Sequence, residues 1–175
     1  LDGVQARIGP GQYGNLTRME EYADGVLQRT TLSEYFPNTT THIVNRPARV
    51  RMLVGQTCVA EQRSSYDQWN SPGNDYRVPP TRGLLSERDV ALTSCSEAAV
   101  VFTNDPAWQV ERFGYDLYGN QTIHHRVAAT DGSVDKWTNT AYDGNYRLFP
   151  VRRTATGWPD MVETASYYGV NAISS

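Results

Sequence analysis

Apolar and polar residues alternate with a period of two along much of the chain. In Pro47–Val54 the even-numbered positions hold Ala, Val, Met and Val, whereas Arg49 and Arg51 lie between them. The same alternation occurs in Trp108–Tyr115 and in Gln121–Ala128. Successive side chains of a strand point to opposite faces of a sheet, so these segments predict half-buried antiparallel strands. Helical periodicity is hard to find, and the predicted fold class is all-β.

Turn signals divide the strand-like runs into hairpins. Asp24-Gly25 and Asp131-Gly132 are typical hairpin turns, because glycine accepts a positive φ without steric cost. Longer loops are expected at Asn38–Asn45 and Trp69–Thr81. We predict a single domain over residues 1–175, an antiparallel meander of about five tandem hairpins that forms a curled sheet. The expected units are Tyr13–Tyr35, His42–Asp67, Tyr76–Asp116, Tyr118–Asp143 and Tyr146–Gly169.

Short motifs recur at the ends of these units. The pattern Tyr-Gly-Asn-x-Thr occurs twice, as Tyr13-Gly14-Asn15-Leu16-Thr17 and as Tyr118-Gly119-Asn120-Gln121-Thr122. Three units close on Tyr-Asp, at Tyr66-Asp67, Tyr115-Asp116 and Tyr142-Asp143. The other two close on the degenerate versions Tyr35-Phe36 and Tyr167-Tyr168. Repeated motifs of this kind indicate a repeat architecture.

The residue types of these motifs suit a joint between hairpins. A tyrosine at a strand end buries its ring while its hydroxyl reaches a partner or water. The following aspartate can accept hydrogen bonds from backbone N–H groups a few residues on and so fix a turn. The Gly-Asn pair tolerates left-handed backbone, and we expect it to serve backbone geometry while its tyrosine packs.

A tandem of hairpins that close on Tyr-Asp resembles the Rhs/YD-repeat family. The segments Gly114–Thr122 and Tyr142–Val151 are typical of it, and the resemblance extends over nearly the whole chain. It implies a long antiparallel sheet that spirals into a hollow shell, in which the repeats are scaffold and any activity belongs to a separate toxin domain or to adhesion. The chain is too short to close such a shell and lacks the family's aspartate-rich self-cleaving segment. It therefore resembles an internal slice of such a protein or a small relative, secreted or at the cell surface.

Composition and charge limit the partners. The net charge of −3 gives no electrostatic reason to expect nucleic acid. No apolar run approaches the roughly 20 residues of a membrane span. The two cysteines, Cys58 and Cys95, are either a disulfide, as in an extracellular protein, or two unpaired thiols.

No catalytic, metal or cofactor site is predicted. His124 and His125 are adjacent, and on a strand they point to opposite faces, so they cannot converge on one metal ion. Glu20 and Glu21 diverge in the same way and are expected on a solvated face. Nucleophile elbows, phosphate loops and dinucleotide fingerprints do not occur.

Four tryptophans are candidate ligand-facing aromatics, namely Trp69, Trp108, Trp137 and Trp158. Aromatic platforms on a sheet can stack on sugars, which would make the chain a carbohydrate- or protein-binding adhesion module. Cross-strand packing that holds the register is the alternative.

The edges of the expected sheet complete the prediction. Edge strands carry unpaired backbone groups, and the terminal units of a repeat protein need caps. Neither Gly9-Pro10-Gly11 nor Val170–Ser175 forms a convincing cap. We expect both edges to pair with the rest of a longer chain or with further copies of this one, in a non-catalytic structural role.

Overall fold

A computed structural model describes residues 4–7, 12–69, 73–93, 95–96, 105–127, 135–156 and 161–167. The chain forms one antiparallel sheet in which eleven strands follow each other in sequence order among these residues. The all-β meander is therefore confirmed. The strands are β1 (Val4–Arg7), β2 (Arg18–Ala23), β3 (Val26–Tyr35), β4 (Pro47–Val54), β5 (Thr57–Tyr66), β6 (Leu85–Ala91), β7 (Trp108–Tyr115), β8 (Gln121–Arg126), β9 (Lys136–Tyr142), β10 (Pro150–Thr156) and β11 (Val162–Thr164).

The five predicted hairpins are the consecutive pairs from β2–β3 to β10–β11. In the first hairpin, Asp24 and Gly25 both have positive φ, at 50° and 76°, as the Asp-Gly signal predicts. The Asp131-Gly132 turn lies outside the described residues, as do Gly9–Gly11 and Val170–Ser175.

One strand was not predicted. The four residues of β1 pair with β2 ahead of the first unit, so the sheet does not begin where the sequence motif begins. The Tyr13-Gly14 turn joins β1 to β2. It is thus a joint between two strands, as Tyr118-Gly119 is between β7 and β8.

Charged residues are among the most buried residues of the sheet. The register places Arg49 opposite Arg63, and Arg63 opposite Asp89, so their side chains share one face. This charged face carries Arg49, Glu61, Arg63, Glu87, Asp89 and Arg112, all of them buried.

β4 is confirmed as a strand, but burial does not follow its alternation, and its arginine side is covered as well. Arg49 is 3% exposed, like Ala48, whereas Val54 at the strand end is 53% exposed. An apolar face against the core is the usual arrangement. Here ion pairs and two loops compensate the buried charges: Arg49 Nε and Arg63 Nε both lie 2.7 Å from Glu61 Oε1.

The loop after β6 covers part of the charged face, and a disulfide anchors it. Cys58 on β5 is bonded to Cys95, with their Cα atoms 6.0 Å apart, so the disulfide alternative is confirmed. The next residue, Ser96, donates its N–H to Glu61 Oε2 at 2.9 Å. Its carbonyl accepts from Arg49 Nη2 at 2.7 Å and Arg63 Nη2 at 2.6 Å. The crosslink thereby holds the backbone of one residue, Ser96, over three charged side chains.

The loop between β5 and β6 covers the rest of this face. Asn74 donates its backbone N–H to Glu87 Oε1 at 3.0 Å, and Arg112 Nε donates to Glu87 Oε2 at 2.8 Å. Tyr76 is buried with its ring 5.0 Å from the Arg63 guanidinium. An apolar cluster of Trp108, Val110 and Val127 adjoins these charges. The covered core of the described structure is thus confined to the middle strands of the sheet.

Asp89 is the carboxyl group of this network with an unsatisfied oxygen. Its Oδ1 atom is buried without a hydrogen-bond partner among the described residues, as is Nη1 of Arg63. Burial, and secondarily the negative charge of Glu87, raise the pKa of Asp89 to about 8. The carboxyl group is therefore protonated in the folded chain at neutral pH.

We expect Asp89→Asn to stabilise the protein in a pH-dependent way. Between the ordinary aspartate pKa of 3.8 and about 8, the unfolded chain releases the Asp89 proton and the folded chain keeps it, so stability falls as pH rises through this window. Removing the ionisable group should raise the free energy of unfolding by about 2 kcal/mol at pH 8, with the gain vanishing near pH 4. Urea unfolding across this range measures it, with the exposed Glu163→Gln as control. A variant that loses stability at pH 8 would contradict the assignment.

Candidate functional site

The aspartates of the Tyr-Asp motifs hold the joints between strands. Asp67 Oδ2 accepts hydrogen bonds from the backbone N–H groups of Thr81, Arg82 and Gly83 at 2.7, 2.8 and 2.9 Å. Its Oδ1 accepts a fourth from Leu84 at 2.9 Å. One carboxylate thereby satisfies four consecutive peptide groups that lead into β6.

The two other joint aspartates act alike across loops of different length. Asp116 Oδ1 accepts from the N–H groups of Tyr118 and Asn120, and Asp143 accepts from Tyr146, Leu148 and Phe149. In all three joints the aspartate N–H also donates to the carbonyl just before the next strand, that of Leu84, Asn120 or Phe149. Leu84, Asn120 and Phe149 lie 17, 4 and 6 residues after their aspartates in the sequence. The joint therefore keeps its geometry while the loop that it closes varies.

Hydrogen bonding favours the charged form of these carboxyl groups. Loss of contact with water acts to raise the pKa of Asp67 and Asp116, but the hydrogen bonds that they accept outweigh it and lower both pKa values. The backbone N–H groups of Phe149 and Tyr146 lower the pKa of Asp143 to about 2. The joint aspartates are thus ionised at neutral pH.

The closing tyrosines form hydrogen bonds at the same joints. In four of the five hairpins the tyrosine hydroxyl donates to a backbone carbonyl at or near the start of that hairpin's first strand. The pairs are Tyr35 with Leu16, Tyr66 with Pro47, Tyr142 with Gln121 and Tyr167 with Pro150, at 3.1, 3.0, 3.2 and 3.0 Å. This confirms the expectation that the hydroxyl finds a partner.

Each inter-unit joint up to β10 also contains a β-bulge beside the closing tyrosine. Tyr66 pairs with Leu85 while Ser65 pairs with Glu87, which leaves Ser86 as an extra residue. The extra residues of the equivalent joints are Ala48, Thr122 and Val151. A bulge bends its strand and increases the local twist, so a bulge at every joint curls the sheet in a regular way.

The Tyr-Gly-Asn motif differs in part from the prediction. Gly14 and Gly119 have φ of 70° and 87°, which confirms the role of glycine. The asparagines are not left-handed; their side chains link neighbouring joints. Asn15 Nδ2 donates to Val44 O, and Asn120 Nδ2 to Arg147 O, both at 2.6 Å. Val44 lies just before β4 and Arg147 just before β10, so each bond spans one hairpin. The only sequence signal for these bonds is that asparagine recurs at this position of the motif.

The tyrosines of these two motifs do not pack as expected. Tyr13 and Tyr118 are 51% and 66% exposed. Tyr13 itself adopts a positive φ of 74°, which turns the chain sharply ahead of Gly14. The ring of Tyr118 lies 5.6 Å from the Arg147 guanidinium, at the surface.

The histidines and paired glutamates diverge as predicted. His124 stacks on Phe113, and His125 stacks on Trp137 at 3.6 Å between ring centres. Within the described ranges no group of three or more His, Cys, Asp or Glu residues could hold a metal ion. The expected solvated position is wrong for Glu20, which is buried and accepts from Arg18 Nε at 2.7 Å and from the Tyr22 hydroxyl at 2.8 Å.

The candidate tryptophans occupy different environments. Trp108 is buried beneath the Arg63 guanidinium, 4.4 Å from the ring centre, and Trp137 packs on His125. Trp158 lies outside the described residues. Trp69 is half exposed and lines a cleft of about 340 Å³ beside the Tyr66-Asp67 joint.

This cleft lies between two joints. One wall comes from Asp67–Trp69 and from Thr81, Arg82, Leu84 and Ser86, and the other comes from Phe113–Tyr115 and from Thr122 and Ile123. Gly114 allows close packing there, because a Cβ at this position would lie 3.1 Å from the Cβ atom of Ile123. Of the sequence-predicted residues, the structure brings Tyr115, Asp67 and Trp69 together here.

No family model matches the chain, and no curated protein matches it. Within the part of the chain that the structure describes, no helix is long and apolar enough to cross a membrane.

The joint geometry predicts unequal effects of removing tyrosine hydroxyls. Tyr66→Phe removes a hydrogen bond to Pro47 O from a largely buried ring and should lower the free energy of unfolding by about 1 kcal/mol. Tyr115 makes no such bond among the described residues, so Tyr115→Phe should change it by less than about 0.5 kcal/mol. Chemical denaturation of both variants in parallel tests this. Equal losses would show that the hydroxyl bonds do not stabilise the joints.

Proposed function

We propose that the chain is a non-catalytic wall element of the Rhs/YD-repeat type, secreted or at the cell surface, whose sheet continues through its edges into further protein. The observation that carries the proposal is the repeated joint. Bulge, joint aspartate and tyrosine bond recur with the hairpins and specify a sheet that can be extended unit by unit. A repeat of this kind adds strands without needing a new core for each one.

The distribution of burial supports continuation beyond the last strands. The middle strands are covered on their charged face by two loops, whereas every residue of β11 is exposed. Val162, on β11, and Met161, beside it, are 54% and 46% exposed. A single sheet layer with exposed apolar residues at its end is an arrangement that adjoining protein would complete.

The disulfide supports the proposed location outside the cell or at its surface. Cys58–Cys95 joins β5 to the loop that covers the charged face, so it stabilises the described core directly. Disulfides of this structural kind persist in oxidising compartments.

The edge strand offers a direct test of the wall role. The Ala155 N–H donates to Met161 O, and the Ala165 N–H donates to Val151 O. In this antiparallel ladder the N–H and C=O groups of Val162 and Thr164 therefore point away from β10. Proline at position 164 would remove an outward N–H and leave the β10 bonds in place, whereas Glu163→Pro would remove an inward one.

We expect the chain to associate in a concentration-dependent manner and Thr164→Pro to weaken this association at least about tenfold. Sedimentation velocity measures it, and the exposed substitution Thr164→Ser is the matched control. Hydrogen exchange at Val162 and Thr164 should slow as the protein concentration rises. A chain that stays monomeric, with both amides already protected at low concentration, would contradict an open edge.

A further inference from the structure

The sequence Asn-x-Thr, the acceptor pattern for N-linked glycans, occurs three times in the chain. The three asparagines are Asn15, Asn38 and Asn120, and in none of these patterns is the middle residue proline. Glycosylation joins a sugar to the side-chain amide nitrogen, Nδ2. The surroundings of Nδ2 therefore decide which of the three asparagines can carry a glycan in the folded chain.

The Nδ2 atom of Asn120 is fully used in the joint between β7 and β8. It donates to Asp116 Oδ2 at 3.0 Å and to Arg147 O at 2.6 Å, so both of its hydrogen atoms are engaged. A sugar on this nitrogen would replace one of the two hydrogen atoms. It would thereby break a bond that holds the joint or links it to the next one.

The Nδ2 atom of Asn15 has the same role ahead of β2. It donates to Val44 O at 2.6 Å, and the asparagine is half-buried. A sugar on this nitrogen would have to fit against the contact between two joints. In both Tyr-Gly-Asn motifs, asparagine thus serves the fold through the atom that glycosylation would modify.

Asn38 uses the other end of its amide group. Its Oδ1 atom accepts hydrogen bonds from the backbone N–H groups of Thr40 and Thr41, at 3.0 and 3.2 Å. Backbone N–H groups only donate, so these bonds fix the oxygen toward the loop and turn Nδ2 away from it. Among the described residues, Nδ2 of Asn38 makes no hydrogen bond.

The loop that carries Asn38 between β3 and β4 is both held in place and accessible. Asn38 and Ile43 exchange two backbone hydrogen bonds, at 2.9 and 3.0 Å, which close the intervening residues into a tight turn. Residues 39–42 are all exposed, and they include Thr40, which completes the acceptor pattern. A glycan on Asn38 can therefore extend into solvent while the strands keep their places.

We propose that Asn38 is an N-glycosylation site of this chain and that Asn15 and Asn120 stay unmodified. The donor is an oligosaccharide joined to a lipid through a diphosphate. Asn38 Nδ2 forms a bond to C1 of the first sugar while the bond between C1 and the diphosphate oxygen breaks. The electron pair of that bond leaves with the diphosphate, which also takes up the proton lost from Nδ2. The inference rests on the proposed extracellular location and is independent of pairing at the sheet edges.

Mass spectrometry of the chain, produced in eukaryotic cells behind a cleavable secretion leader, tests the proposal. We expect a glycan on Asn38, recognised as aspartate at position 38 after enzymatic release of the glycan, and unmodified Asn15 and Asn120. The state of Cys58 and Cys95 in the same sample is a separate readout. Absence of a glycan from Asn38 would overturn the site, whereas reduced cysteines would overturn the proposed location. A glycan on Asn15 or Asn120 of the folded chain would contradict the selectivity.

Thr40→Ala and Thr41→Ala are a matched pair of variants. Both threonines are exposed, and both bond to Asn38 Oδ1 through backbone N–H groups that the substitutions keep. Thr40→Ala removes the acceptor pattern and should abolish the glycan, whereas Thr41→Ala should retain it. A glycan that persists in Thr40→Ala, or one that is lost in Thr41→Ala, would show that the assignment is wrong.

Discussion

The acceptance of backbone N–H groups by a joint carboxylate is the interaction on which the rest of the sheet depends. Each antiparallel turn between units leaves peptide groups that no strand can satisfy, and buried or half-buried groups of this kind are costly. Asp67 satisfies four of them and fixes the start of β6, so the register of the next hairpin follows from one side chain. Because the same arrangement spans separations of 4, 6 and 17 residues, loop length is free to vary.

The variable length of the joint loops explains how the centre of a single-layer sheet comes to be covered. The longest of these joint loops places Asn74 and Tyr76 over the charged face. The disulfide holds Ser96, from the loop after β6, over the same face. The buried arginines and glutamates then find partners in the loops instead of water. Asp89 is left with an unpartnered oxygen and keeps its proton. The charged face is therefore specified by its loops as much as by its strands.

Local sequence signals predicted the hairpins because each rests on a local physical rule. Two-residue alternation predicts β4, β7 and β8, and the Asp24-Gly25 turn predicts the β2–β3 hairpin, without reference to any other part of the chain. The tyrosine and aspartate roles followed in the same way. The four-residue β1 gives too little alternation to recognise, and the burial of Arg49 depends on partners that are distant in sequence, Glu61 and Ser96. Glu20 is buried with partners on its own strand, Arg18 and Tyr22, and two-residue alternation alone does not show which face is covered. The Asn15 to Val44 bond joins residues 29 apart, so only the folded chain shows it. Of the residues that line the cleft, the sequence singled out Trp69 as a possible ligand-facing residue. Tyr115 differs from the other four closing tyrosines only in that its hydroxyl makes no hydrogen bond to a backbone carbonyl among the described residues, and the sequence does not show this difference.

The free energy of unfolding of Asp67→Asn, measured against pH, tests the central role of the joint carboxylate most directly. Asp75→Asn in the same loop is the control, since Asp75 Oδ1 accepts one backbone hydrogen bond, from Arg77. The lowered pKa of Asp67 means that its stabilisation is present above the ordinary aspartate pKa of 3.8 and is lost as the pH falls through the folded value. The account predicts a loss of about 2 kcal/mol for Asp67→Asn at pH 7, larger than for the control and shrinking toward pH 2. A loss no larger than that of Asp75→Asn, or one independent of pH, would contradict it.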